Sequence, residues 1–161
     1  MNLAELLLNA PPDPKEDAMI EENKKVVLRF LEATGHNDAE TVKACVDPDG
    51  VSVAKGTSKF TGPRRFGANI ADTIETFKKI IPTGLRYKIC SVTAEKDRVV
   101  VQAEGDAVTH DGKPYRNDYC FVCTVKNGKV VRVDEYFCTK MADEVLWPSY
   151  QNVGGPPADA S

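Results

Sequence analysis

The stretch Asp111-Gly112-Lys113-Pro114-Tyr115-Arg116-Asn117-Asp118-Tyr119-Cys120-Phe121-Val122-Cys123-Thr124-Val125-Lys126-Asn127-Gly128-Lys129-Val130-Val131-Arg132-Val133-Asp134-Glu135-Tyr136-Phe137 decides the fold. Apolar and polar residues alternate along it with the period of half-buried strands, and the alternation breaks at Asp111-Gly112 and Asn127-Gly128. Asn-Gly supplies the two left-handed residues of a tight hairpin, so strands over 115–125 and 129–138 run antiparallel. The same period continues upstream through 85–94 and 98–109, divided by Glu95-Lys96-Asp97. Four consecutive strands make an antiparallel meander.

Ahead of the meander the period is helical. Val26, Val27, Phe30 and Leu31 share one face of a helix over 20–34 that ends at Gly35. Asn37, followed three places later by Glu40, reads as a capping box for a short helix burying Val42, Cys45 and Val46, which Asp47-Pro48-Asp49-Gly50 stops. Val51 and Val53 mark a short strand. Phe66, Ile70, Ile74, Phe77 and Ile81 then line a third helix after Gly62-Pro63, and Thr139 caps a last turn ending at Trp147-Pro148. Helices first and a long sheet second give an α+β domain whose helices cover one sheet face. Long twisted strands curve, so the expected architecture is a cone with an interior.

The 161 residues suit one folded unit at 19–147, with a proline-containing arm at 1–18 and a flexible tail at 148–161. A hydrophobic share of 42% and a charged share of 28% exclude a disordered or membrane-embedded chain. A formal charge of −3, from 21 basic and 24 acidic residues, argues against nucleic acid or an anionic membrane as partner. Five cysteines scattered through apolar stretches, and an apolar run no longer than Leu6-Leu7-Leu8, fit a reduced cytoplasmic protein. Cys120 and Cys123 lie an odd number of residues apart on one strand, so their sulfurs face opposite ways and do not form a metal or redox pair. His36 and His110 stand too far apart in sequence to make a recognisable metal motif, and no phosphate-binding or nucleophile motif is present, so no cofactor is expected. Lys55, Lys59, Arg64 and Arg65 form a basic cluster that reads as a solvated face or as a receptor for an anionic group.

Parity sorts the meander into faces. Tyr115, Asn117, Tyr119, Phe121 and Cys123 form the aromatic, inward set, and Val131, Val133, Glu135 and Phe137 the more apolar set of the last strand. On the strand at 98–109 apolarity favours Val99, Val101 and Ala103, whereas an acidic site requires Gln102, Glu104 and Asp106 to face inward. If Glu104, Asp106 and Glu135 meet in the cone, desolvation and repulsion raise at least one pKa, and a carboxyl acid stands beside a carboxylate base. The opposite arrangement puts Glu104 and Asp106 on a solvated sheet face and pairs Glu135 with an arginine at the rim.

The order of elements, with the pattern of Tyr115, Asn117, Tyr119 and Phe121, then Gly128-Lys129-Val130, then Glu135-Tyr136-Phe137, resembles the SnoaL-like branch of the nuclear transport factor 2-like superfamily over 20–147. The resemblance implies the cone-shaped α+β barrel with three N-terminal helices, a homodimer, and kinship with polyketide cyclases, ketosteroid isomerases and limonene epoxide hydrolases. Aligned with the epoxide hydrolases, Asp106 matches their strand aspartate and Glu135 their second acid, while their arginine falls on Glu104. The positions of their water-holding side chains fall near Val51 to Val53, the isomerase base near Ala54-Lys55, and the terminal SnoaL-like aspartate on Cys138. The expectation is therefore a cofactor-independent isomerase, cyclase, dehydratase or hydrolase of a small apolar oxygenated ligand. Asp106 and Glu135 are its expected catalytic pair, and Glu104, Asn117, Tyr119, Phe121, Val133 and Phe137 its substrate-binding residues. A non-catalytic ligand- or protein-binding module is the alternative.

Overall fold

The computed structural model describes residues 13–153; residues 1–12 of the expected arm at 1–18 and residues 154–161 of the expected tail lie outside them, and the remainder of that arm from Pro14 is helical. Helix α1 (Pro14–Gly35) starts well before the expected position, because Asp13 accepts the Lys15 N–H at 2.9 Å and Pro14 occupies the first turn. Its buried residues include Val27, Phe30, Leu31 and Ala33. The Asn37 backbone is left-handed at φ 57°, so it terminates α1, and the cap of α2 (Ala39–Cys45) passes to Asp38, which accepts the Thr41 N–H at 3.1 Å. Gly35 permits a close approach. A side chain there would meet the Leu85 carbonyl at 2.5 Å, and the Leu85 N–H donates to the Gly35 carbonyl at 2.8 Å.

Strand β1 (Val46–Ala54) begins as soon as α2 ends, and β2 (Gly62–Arg65) pairs with it antiparallel. Sequence period alone does not reveal β2, a four-residue strand with no large apolar residue. Helix α3 (Phe66–Ile80) follows directly. The meander is then β3 (Arg86–Glu95), β4 (Arg98–Val108), β5 (Pro114–Lys126) and β6 (Lys129–Phe137). Across the sheet the order is β2-β1-β6-β5-β4-β3, with β1 parallel to β6, so the sheet is mixed and open rather than wholly antiparallel. Both edges belong to different strands, and the α+β cone forms by curvature and by helices closing over one face. Register shifts accompany that curvature between Ile89 and Ser91, between Thr124 and Val125, and within β1.

Beyond β6 the chain continues past the expected stop at Trp147-Pro148. Helix α4 (Thr139–Met141) leads through a π-helical turn (Ala142–Leu146) into α5 (Trp147–Asn152), where Pro148 sits in the first turn and is compatible with the helix. Ser149 is fully buried and donates to Asp111 at 2.9 Å, so this part of the expected tail packs on the body. Thr109 at 2.6 Å and Lys113 at 3.0 Å join the same carboxylate, and these partners hold its pKa far below the usual range. Among the described residues, no helix is long and apolar enough to cross a membrane.

Candidate active site

Burial along β4 follows strict alternation, with Val99, Val101, Ala103 and Ala107 buried and Arg98, Gln102 and Glu104 exposed. Glu104 and Asp106 therefore lie on the outer face, correcting the expectation that they converge with Glu135. Register explains why. Arg86, Asp106 and Arg116 are direct neighbours across β3, β4 and β5, and the Asp106 carboxylate accepts from Arg86 at 2.6 Å and Arg116 at 3.4 Å. Lys88 pairs Glu104 at 3.0 Å one step along. Arg86, and then Arg116, hold the Asp106 pKa below its usual value, the opposite of what a proton-donating acid needs.

Glu135 faces inward. It lines a cavity of about 160 Å³ together with Tyr87, Tyr115, Tyr119, Phe121 and Val133, and with residues from both long helices. Among the described residues its carboxyl has no hydrogen bond or ion pair, and burial raises its pKa to about 7, with Arg64 pulling the other way. An ionisable group left unpaired in apolar surroundings adjusts its proton rather than its neighbours. Near neutrality Glu135 is populated in both states, so one residue can accept or donate a proton.

The expected aromatic set is inward, with Tyr115, Tyr119 and Phe121 buried and Phe137 partly buried. Val133 is buried as expected, but Val130 replaces Val131 as its inward neighbour, because the β5–β6 register shift leaves Val131 as an extra residue. The Tyr119 ring stacks on Phe121 with centroids 5.5 Å apart and meets Tyr87 edge-on at 5.4 Å. Gly105 on β4 makes room for it, since a Cβ there would stand 2.7 Å from the ring.

Asn117 does not line this cavity. Its amide donates to the Tyr115 hydroxyl at 2.8 Å and to the Cys138 carbonyl at 3.0 Å, while its oxygen accepts the Cys138 N–H at 2.8 Å. These bonds use both amide hydrogens, so Asn117 orients other groups instead of contacting a ligand itself. The Tyr115 and Tyr119 hydroxyls lie 2.8 Å apart, and that one bond uses only one of their two hydrogens. The other remains for an acceptor in the cavity. Desolvation, supplemented by the Glu135 charge, raises both phenols, Tyr115 to about 12, and keeps them protonated donors.

The basic cluster divides. Lys55 pairs Asp134 at 3.0 Å, Lys59 stands 5.6 Å above the Trp147 ring, and Arg64 and Arg65 both border the cavity, Arg64 partly buried and Arg65 exposed. At the mouth, Ser58 and the Lys59 N–H donate to Asp143 at 2.6 and 2.9 Å, fastening the β1–β2 loop to the C-terminal segment. Phe60 meets Trp147 and Tyr150 edge-on at 5.5 and 5.7 Å, and Ala142 and Leu146 complete the lining. Cys138 and both histidines are exposed, and all five cysteines are free. Sequence reasoning did not assign Arg64, Tyr87 or Tyr115 to the cavity; the signals available were the inward parity of Tyr115 and the reading of the basic cluster around Arg64 as a solvated face or an anion receptor.

A family model described as the SnoaL-like domain matches residues 27–133. Solved structures share the fold. An NTF2-like protein from Burkholderia xenovorans LB400 is 22% identical at TM-score 0.68, covering 79% of this chain and 97% of its own. An LEH-like epoxide hydrolase from M. tuberculosis is 19% identical at TM-score 0.65, with 84% and 96% covered. PrhC from Penicillium brasilianum NBRC 6234 is 16% identical at TM-score 0.73, with 88% and 96% covered. No curated protein sequence matches the chain.

Proposed function

Because the chain belongs to the SnoaL-like domain family, we propose that it is a cofactor-independent enzyme using Glu135 to move a proton on an apolar, oxygen-bearing small molecule. The observation that carries this reading is the unpaired Glu135 carboxyl, near half-protonated at neutral pH, sharing an apolar cavity with a tyrosine pair that retains one free O–H. The ionised carboxylate takes a proton from carbon beside a carbonyl, the tyrosine O–H hydrogen-bonds the oxygen as charge develops, and the protonated acid returns the proton elsewhere. The net change is an isomerisation or the proton-transfer half of a cyclisation. Phe121, Val133 and Phe137 supply apolar contact, and Tyr119 with Tyr115 supplies the hydrogen bond.

Two further expectations belong to the same reading. The outer sheet face lacks a covering helix among the described residues and carries exposed Tyr136 and Val108, which favours a homodimer through this face. Five free cysteines favour the reducing cytoplasm.

The test is turnover of a panel of enones, lactones and epoxides by the wild type and by Glu135→Gln. Loss of turnover with an unchanged circular dichroism spectrum supports the assignment. Equal turnover in the variant removes Glu135 from the chemistry, and binding without turnover by the wild type favours a non-catalytic binding module.

A further inference from the structure

Two arginines border the cavity, exposed Arg65 and partly buried Arg64, and acid/base chemistry at Glu135 requires neither charge. Arg64 sits on β2, and its neighbour in register across β1 is Ser52, whose own neighbour on β6 is Val133. Ser52, Val133 and Arg64 all line the cavity, so the guanidinium enters from the sheet edge, two strands from Glu135. Adjacent strands lie about 4.8 Å apart, so the Arg64 and Val133 backbones are separated by about 10 Å, a span a small ligand can bridge. Residue 64 is partly buried, unlike its neighbour Arg65. Among the described residues its guanidinium makes one hydrogen bond, to the Phe60 carbonyl at 2.6 Å, and no carboxylate forms an ion pair with it.

A guanidinium has five N–H donors in a planar fork, of which Phe60 takes one. Arg64 lines a cavity whose walls include Phe30, Phe66, Ile70 and Phe77. A charge in apolar surroundings without a counter-ion costs free energy that a matching anion recovers. Glu135 is the acid in the cavity lining, yet among the described residues no ion pair joins them and burial holds its carboxyl pKa up despite Arg64. A neutral carbonyl uses one donor of the fork, whereas a carboxylate uses two in one plane.

We propose that Arg64 receives the carboxylate of an otherwise apolar substrate, so that the cavity selects aromatic or alicyclic carboxylic acids. This rests on the reading of the cavity as the substrate site, and it adds the class of molecule. The acid group docks at Arg64, and the carbon skeleton extends along Phe121 and Val133 toward Glu135 and Tyr119. When Glu135 is protonated, the substrate carboxylate meets no like charge from it.

The test compares two probes of nearly equal size, 2-naphthoate and neutral 2-acetylnaphthalene, by fluorescence titration of the full chain at about pH 6, below the point at which Glu135 loses its proton. The wild type binds naphthoate about 10- to 100-fold more tightly, the range for a hydrogen bond to a charged group. Arg64→Met abolishes the preference while affinity for the ketone changes little, and Arg64→Lys restores part of it. If Arg64→Met does not fold, Arg64→Gln reports the same loss. Equal affinities in the wild type, a preference surviving in Arg64→Met, or binding of neither probe overturns the proposal. Glu135→Gln separates the two readings. A naphthoate preference that persists there while wild-type turnover is insensitive to Glu135 upholds Arg64 and refutes the proton-transfer role.

Discussion

Replacing Glu135 by Gln tests the electrostatics of the cavity without requiring a substrate. Burial lifts the carboxyl from 4.5 to about 7, so between those values the folded chain binds a proton that the unfolded chain has released. Stability then falls as pH rises through this window, and the full loss is present above pH 7. At about 1.4 kcal/mol per pKa unit the shift corresponds to about 3 kcal/mol, and contact of the carboxyl with the cavity space reduces this to about 2 kcal/mol. Glutamine has the same shape and never ionises. Urea unfolding should therefore give wild type and Glu135→Gln nearly equal stability at about pH 4, with the variant more stable by about 2 kcal/mol at about pH 8. In thermal melts the same gap is about 4–8 °C for a chain of this size. A difference that is flat with pH, or a variant that loses stability relative to wild type as pH rises, refutes the account of Glu135 as a desolvated, unpaired acid.

Asp106→Asn removes an outer-face ion-pair partner and should leave naphthoate affinity and any Glu135-dependent turnover unchanged; a loss of either returns Asp106 to the site. Asn117→Ala strips the Tyr115 hydroxyl and both Cys138 backbone groups of a partner, and about 1–3 kcal/mol should be lost in urea unfolding, with no loss arguing that water replaces the amide. Gly105→Ala drives a methyl group into the Tyr119 ring and should cost about 1–3 kcal/mol with altered near-ultraviolet circular dichroism, whereas an unchanged spectrum would mean that the ring moves freely. Asp143→Ala releases the loop clasped by Ser58 and Lys59, so amide exchange should accelerate over 55–61 and 139–152 while β4 and β5 remain protected; uniform acceleration would point to global destabilisation instead.

The meander was legible because its turns and its period are local. Asn127-Gly128 and the alternation on either side require no knowledge of the rest of the chain. Gly62–Arg65 stayed hidden because its pairing with β1 is not written in its side chains, and the start of α1 because Asp13-Pro14 is a capping signal followed by exposed residues without an apolar period. The two faces of β4 show local and functional cues pulling apart. Apolarity placed Val99, Val101 and Ala103 inward, and the structure agrees; the acids looked available for chemistry only while their partners Arg86, Lys88 and Arg116 were not aligned with them. Register across three strands turns the same carboxylates into a surface ladder. Glu135 was readable because one acid in an apolar set has few bland explanations, whereas Arg64 lies far from it in sequence and reaches the cavity only through β2 pairing.

The two tyrosine oxygens have a consequence for the breadth of ligands the cavity can accept. With Asn117 donating to Tyr115, the bond between the phenols can run in either direction, and reversing it relocates the spare hydrogen by one oxygen–oxygen distance, 2.8 Å, without moving a ring. The site thus offers a donor at two alternative points for the rotation of two hydroxyls. Ligands whose carbonyls fall at different depths can be met by the same rigid wall, so tolerance along this axis comes from hydrogen positions rather than from flexibility of the backbone.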